Sequence, residues 1–352
     1  MDDKLVQKLI EVYEKAQQEL IRVIAEKEAK GNVTAYQRSL LAKVNKILAD
    51  LDIEAYKLTK QIVENYYKDT IDEVVSSLLA QNVDVSQSST FSKLHTDAIL
   101  TIVKNYFSNL HDANVFVGRQ IQDAVRKAGL DAVALKISTG QTVKECKKNL
   151  VNMLIDQGLN GIKDKRGRTI SLEAYAATVA RSTTAEVTNT ATTNQLTELG
   201  YDLVKMTSHA TTCPICSVYQ GRVYSISGKD NRFPPLSTAF SGEHANIHPN
   251  CRHRIFPYIE SLADDLEGDI QYSNRRFEVS ERDKKAIDDY NKQQFEKMKL
   301  RADRNQYQRY KLAIPNDVPK NFANFRQMKN SNSNRWKKLK TLYESAVKNE
   351  II

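Results

Sequence analysis

Through most of the first 127 positions, apolar residues recur every three or four places. Leu5, Leu9, Val12, Tyr13, Ala16, Leu20, Val23 and Ile24 open the pattern, and Gly31-Asn32 stops it. A second run begins near Thr34 with Leu40, Leu41, Val44, Ile47, Leu48 and Leu51, and continues through Ile62, Tyr66, Ile71 and Val75 before fading into the polar stretch from Asn82 to Thr90. A third runs from Phe91 to Lys127 over Leu94, Ile99, Ile102, Val103, Phe107, Val115, Ile121 and Val125. This spacing puts one apolar stripe along a helix, so three long amphipathic helices are expected. Shorter helices are expected near 131–138 and 142–157, broken at Gly140 and Gly158. Twelve glycines and seven prolines in 352 residues are too few for an all-β chain built on tight turns. The fold class is mainly α.

The period changes at 160–170, where two short extended pieces flank a glycine-containing turn and predict a small hairpin. Ser171 is placed to cap a helix that runs to Leu199 and ends at Gly200. Leu203–Met206 and Arg222–Ser225 read as strands, and Pro234-Pro235, Gly242 and Pro249 mark an irregular loop. A charged helix from Glu281 to Tyr310 and a last helix from Arg335 to Val347 follow, with a linker at Asn330–Asn334. The expected organisation is a long helical N-terminal region (1–139), a small α+β core (140–262) and a basic helical tail (263–352).

Charge is unevenly placed. The chain carries a net +9, yet residues 271–352 hold 20 Lys/Arg against 10 Asp/Glu, while the remainder holds 32 against 33. Arg275, Arg276, Lys284, Lys285, Arg301, Arg304, Arg309, Arg335, Lys337, Lys338 and Lys340 are interleaved with Tyr290, Phe295, Tyr307, Tyr310 and Trp336. Such a tail suits a phosphate backbone or an acidic protein surface; the alternative is a solvated helix face. No stretch approaches the ~20 apolar residues of a membrane span, and Met1-Asp2-Asp3-Lys4 is unlike a basic secretory leader. A soluble protein made in a reducing cytoplasm is expected, with neither a membrane nor a small-molecule substrate as partner.

Cysteine usage fits that compartment. Cys146 stands alone on a helical pattern and reads as an inert buried thiol, whereas Cys213-Pro214-Ile215-Cys216 is answered by His248-Pro249-Asn250-Cys251-Arg252-His253. A two-residue gap lets one turn aim two sulfurs at a point, and a second loop can complete a tetrahedron with Zn–S near ~2.3 Å and Zn–N near ~2.0 Å. A structural zinc ion is expected on Cys213, Cys216 and Cys251, with His248 or His253 as the fourth ligand; His209 and His244 are weaker candidates. The alternative is a metal-free loop of hydrogen-bonded core residues. Catalysis finds less support. Cys251 with His248 forms a nominal nucleophile–base pair, but two neighbouring cysteines favour ligation. A His–Asn–His nuclease on His244, His248 and His253 lacks the hairpin-then-helix frame, because Pro249 and Pro257 bracket the histidines. No phosphate-binding GxxxxGK[ST] loop, HExxH helix or GxSxG elbow is present. A zinc-stapled DNA-binding protein is a further alternative.

Ser208–Cys216, Tyr219-Gln220-Gly221-Arg222-Val223-Tyr224 and His248–His253 together resemble the phage head-morphogenesis proteins of the MuF type, in particular minor capsid proteins of phages of Gram-positive hosts. Asp164–Tyr175, Arg181-Ser182-Thr183, the helix from Arg282 and Asn324-Phe325-Arg326 extend the likeness over about 140–345, and the Cys213/Cys216 pair is similar to the branch that carries CxxC. The resemblance implies a non-enzymatic, low-copy virion component inside the head. It implies association with the portal protein and capsid interior, assistance to capsid assembly, and an influence on DNA packaging or ejection. Some relatives carry a C-terminal toxin domain; the ~80 residues after the core here have no catalytic constellation.

Overall fold

The computed structural model describes residues 3–25, 33–83, 85, 91–139, 150, 162–163, 169–240 and 244–348. Helix dominates it, as the spacing predicts. The helices are α1 (Lys4–Ala25), α2 (Val33–Ala80), α3 (Lys93–Thr139), α4 (Leu172–Glu198), the single turn α5 (Pro214–Ser217), α6 (Leu266–Ser273), α7 (Glu281–Ala313), α8 (Phe322–Asn330) and α9 (Asn334–Lys348). Strands β1 (Ile162–Lys163), β2 (Thr169–Ile170), β3 (Leu203–Met206), β4 (Val223–Ser225) and β5 (Ile255–Pro257) are short. Among the described residues no helix is long and apolar enough to cross a membrane. The stretch 131–138 is the end of α3 instead of a separate helix; Gly129, alone within a helical pattern, is tolerated there. The expected helix at 142–157 and Cys146 lie outside the described residues, Leu150 apart.

Two compact units divide the chain. One gathers Met1–Lys8, Tyr56–Asn109 and Ala177–Phe295; the other gathers Leu9–Ala55, Leu110–Ala176 and Glu296–Ile352.

In the first unit β3 is the central strand of an antiparallel sheet ordered β4-β3-β5. Val204 faces Tyr224 on one side and Pro257 on the other, and Met206 faces Ile255. Alternation then sorts the side chains. Val204, Met206, Tyr224 and Ile255 pack with Val74 and Leu78 of α2 and Leu196 of α4, while Leu203 and Val223 pack with Phe233 and Tyr258 on the opposite face. Pro257 cannot donate to a ladder, and its place on an edge strand makes that harmless. α4 begins and ends where the sequence expects: Ala174 N–H donates to Ser171 Oγ at 3.2 Å, and Gly200 adopts φ +78° while Tyr201 N–H returns to Leu196 O. Arg222, opening β4, buries its guanidinium and donates to five carbonyl oxygens, those of Val218, Tyr272, Ser273, Arg275 and Arg276, so it ties the sheet to the end of α6.

Among the described residues the regular structure of the second unit is helical apart from the β1–β2 pair, which is antiparallel with Ile162 opposite Ile170 as the hairpin reading predicts. In α1, Leu9, Tyr13, Leu20 and Ile24 are wholly buried, and in α2 Leu40, Val44, Leu48 and Leu51 form the matching stripe. Asn114 of α3 donates to Asp52 Oδ1 at 2.6 Å, and His111 meets the other oxygen at 2.9 Å. The end of α7 packs with α8 and α9 around Tyr310, Ile314, Val318, Phe325, Met328, Trp336 and Leu339. Tyr310 stacks on Tyr343 at 4.0 Å between centroids, and Phe325 meets Trp336 edge-on at 5.5 Å.

Candidate metal centre

The three clustered cysteines converge, all in the first unit. Cys213 stands at the N-cap of α5, where its extended backbone (φ −75°, ψ 158°) turns the sulfur back over the first turn to accept from Cys216 N–H at 3.3 Å. Pro214 takes the first helical position, where its missing N–H costs nothing. The second loop closes by a turn in which Cys251 N–H donates to His248 O at 3.0 Å, with Asn250 at φ +66°. Asparagine is among the few non-glycine residues that tolerate this conformation. Helix α4 holds the loop: Ser182 Oγ accepts from Asn250 N–H, Arg181 donates to Asn250 Oδ1, and Asn189 bonds Ala245 O, His253 O and Ile255 N–H.

His248 Nε2 lies 3.1 Å from Cys213 Sγ and 3.0 Å from Cys216 Sγ, and its Nδ1 lies 2.7 Å from Pro249 O. A carbonyl oxygen only accepts, so Nδ1 carries a proton and Nε2 is the ring atom turned toward the sulfurs, the one a metal would take. Cys216 and Cys251 sulfurs are 3.6 Å apart, and Cys251 Sγ is 3.6 Å from His253 Nδ1. Bond lengths near ~2.3 and ~2.0 Å about a tetrahedron place ligand atoms roughly 3.5–3.8 Å apart. Two overlapping groups of three side chains could therefore hold a metal ion: Cys213, Cys216 and His248, and Cys216, Cys251 and His253, each with ligand atoms within 4.8 Å of one another. Cys216 belongs to both.

Electrostatics fit a site of competing thiols. The bond from the Cys216 thiol, assisted by His248, pulls Cys213 down to about 4, and Cys251 is lowered chiefly by the same thiol. Cys216, set between the other two sulfurs and buried, is pushed up, and the bond to Cys213 raises His248 to about 9. A divalent cation held here would displace the proton of Cys216 and so relieve this competition.

The weaker candidates stand elsewhere. His244 pairs with Glu186 at 3.0 Å, and among the described residues neither metal-capable group includes it. His209 packs edge-on against His253 at 4.4 Å between centroids and accepts from or donates to Thr207 at 3.2 Å; burial lowers its pKa. Sequence reasoning missed the residues behind the ligands, namely Asn189, Gln220 and Asp283. Asn189 sits in a Thr-rich helical run and Asp283 in a charged one, and neither pattern marks them.

The family model for phage minor capsid protein 2 matches residues 2–328, and the chain belongs to that family. It is thus a structural component of a phage particle, in line with the MuF-type resemblance. A protein of Lactococcus phage LL-H described as "Structural protein" is 28% identical over 152 residues. That match spans 41% of this chain and 40% of the phage protein. No solved structure matches the chain.

Proposed function

We propose that this chain is a low-copy component of the head interior, docked on the portal protein, that assists capsid assembly and the packaging or ejection of DNA without catalysing a reaction. It is made in the host cytoplasm before it enters the particle. The family match over residues 2–328 carries the reading. Long amphipathic helices suit docking, and the cationic excess concentrates late: residues 296–348 hold 14 Lys/Arg against 4 Asp/Glu. Arg335, Lys337 and Lys338 project from the exposed side of α9, available to phage DNA with salt-dependent, sequence-independent affinity. Portal docking is tested on procapsids purified from infections with and without portal protein. The chain is expected in the first and absent from the second; its presence only in portal-free particles overturns the docking reading.

The centre holds a structural zinc ion through Cys213, Cys216, Cys251 and one of His248 and His253. A closed four-ligand site leaves no position open for chemistry, which fits a non-enzyme and disfavours the nuclease alternative. Elemental analysis of untagged protein should find one zinc per chain, lost in Cys213→Ser; a well-folded protein without metal overturns the assignment.

A further inference from the structure

Resting on that zinc reading, we infer that His248 is the fourth ligand, and that His253 opens a buried relay coupling the metal to the root of helix α7. The two pairs mirror one another, since Cys213 and Cys216, like His248 and Cys251, are separated by two residues. His248 alone of the two imidazoles lies within about hydrogen-bond reach of both sulfurs of the first pair. His253 contacts a single sulfur, Cys251, which its own backbone N–H already approaches at 3.4 Å. Its second ring nitrogen meets Gln220 Oε1 at 3.3 Å.

From there the chain of contacts leads away from the metal. Gln220 Oε1 also accepts from His209 N–H at 3.2 Å, and the amide nitrogen donates to Asp283 Oδ1 at 2.8 Å. Asp283 lies in the first turn of α7; its other oxygen accepts from Ser280 Oγ at 2.6 Å, and Arg282 lies 3.7 Å away. His253, Gln220 and Asp283 are each no more than 3% exposed, so each link is expensive to leave unpaired. Two further contacts reach the same helix. Thr212 N–H donates to Ala286 O, and Tyr290 packs on the cysteine cluster. The first turns of α7 are thus anchored by what surrounds the metal. Coupling of this kind is reciprocal: if metal orders α7, an intact α7 anchor tightens metal binding.

The test uses full-length, metal-stripped protein titrated with Zn²⁺ against a chromophoric chelator, with Co²⁺ absorption as the ligand signature. His253→Gln, Gln220→Leu and Asp283→Asn should keep a three-sulfur, one-nitrogen cobalt spectrum while losing ~10–100-fold in affinity, the usual effect of removing an outer-shell partner. His248→Ala should lose that spectrum. Hydrogen exchange across 281–290 should quicken on chelation in the wild type and already be fast in metal-loaded Asp283→Asn. That variant keeps the carboxylate's shape, so it decides the matter even where Gln220→Leu fails to fold. Loss of the spectrum in His253→Gln with retention in His248→Ala reverses the ligand assignment. Wild-type affinity and exchange in Asp283→Asn overturn the relay, whereas a wild type that takes up no metal overturns the zinc reading beneath it.

Discussion

The stretch 203–258 and the stretch 296–348 stay ordered by different means. The first is built of three- and four-residue strands and irregular loops, and side chains that bond to backbone hold it: Asn189 on three groups, Arg222 on five, the thiols on N–H groups. The second is built of helices around a ring cluster, with Tyr310 stacked on both Trp336 and Tyr343. Aromatic burial forms the core of the second stretch, since each ring buries much surface at little entropic cost, with ion pairs from Arg326 and Lys329 to Asp303 beside it. In the first stretch apolar clusters cover both faces of the sheet, and directional bonds hold the irregular loops around it.

Metal removal should separate the two most sharply. Chelation is expected to lower the thermal midpoint by about 10 °C or more and to speed hydrogen exchange through 207–255, because binding to a structural zinc site is itself folding free energy. Exchange at 322–348 should not change; equal loss in both stretches breaks the contrast. Phe325→Ala is the converse experiment. The ring is wholly buried, so the cost is about 3–5 kcal/mol, read in urea through the emission of Trp336, the chain's single tryptophan. Metal content should stay at the wild-type value.

Smaller changes sharpen the comparison within the first stretch. Asn189→Ala strands Ala245 O, His253 O and Ile255 N–H and should cost about 1–3 kcal/mol, measured by denaturant midpoint. Gly221→Ala forces a side chain into φ +74° with its Cβ 2.9 Å from Ser208 Oγ, which should cost about 1–2 kcal/mol. Arg335→Glu with Lys337→Glu should leave stability within ~0.5 kcal/mol while weakening retention on DNA at low salt; unchanged retention removes α9 from the DNA reading.

These differences also decide what the chain reveals before folding. Repeating apolar residues expose α1, α2 and α3, a run of charged residues exposes α7, and the Ser171–Gly200 brackets expose α4, because local pattern and capping are written in neighbouring positions. The metal candidates were legible through two short gaps, although Cys251 lies 35 positions after Cys216. Strand β5 was hidden by Pro257, whose edge position depends on a sheet order that no local pattern encodes. Helix α8 was hidden as well: Phe322, Phe325 and Met328 recur every three residues, but a nine-residue helix is too short to establish a period. Gln220 and Asp283 meet across 63 positions, and a single polar residue carries no periodic mark of its distant partner.

Arg222 has one more consequence. Its five partners are peptide oxygens, which keep no proton at any pH a virion meets, and guanidinium stays charged across the same range. The nearby Lys205–Asp269 bridge, at 2.8 Å, rests instead on a carboxylate. The Arg222 joint has no group to protonate, so the sheet and the end of α6 remain fastened in acid surroundings that unfasten ordinary ion pairs.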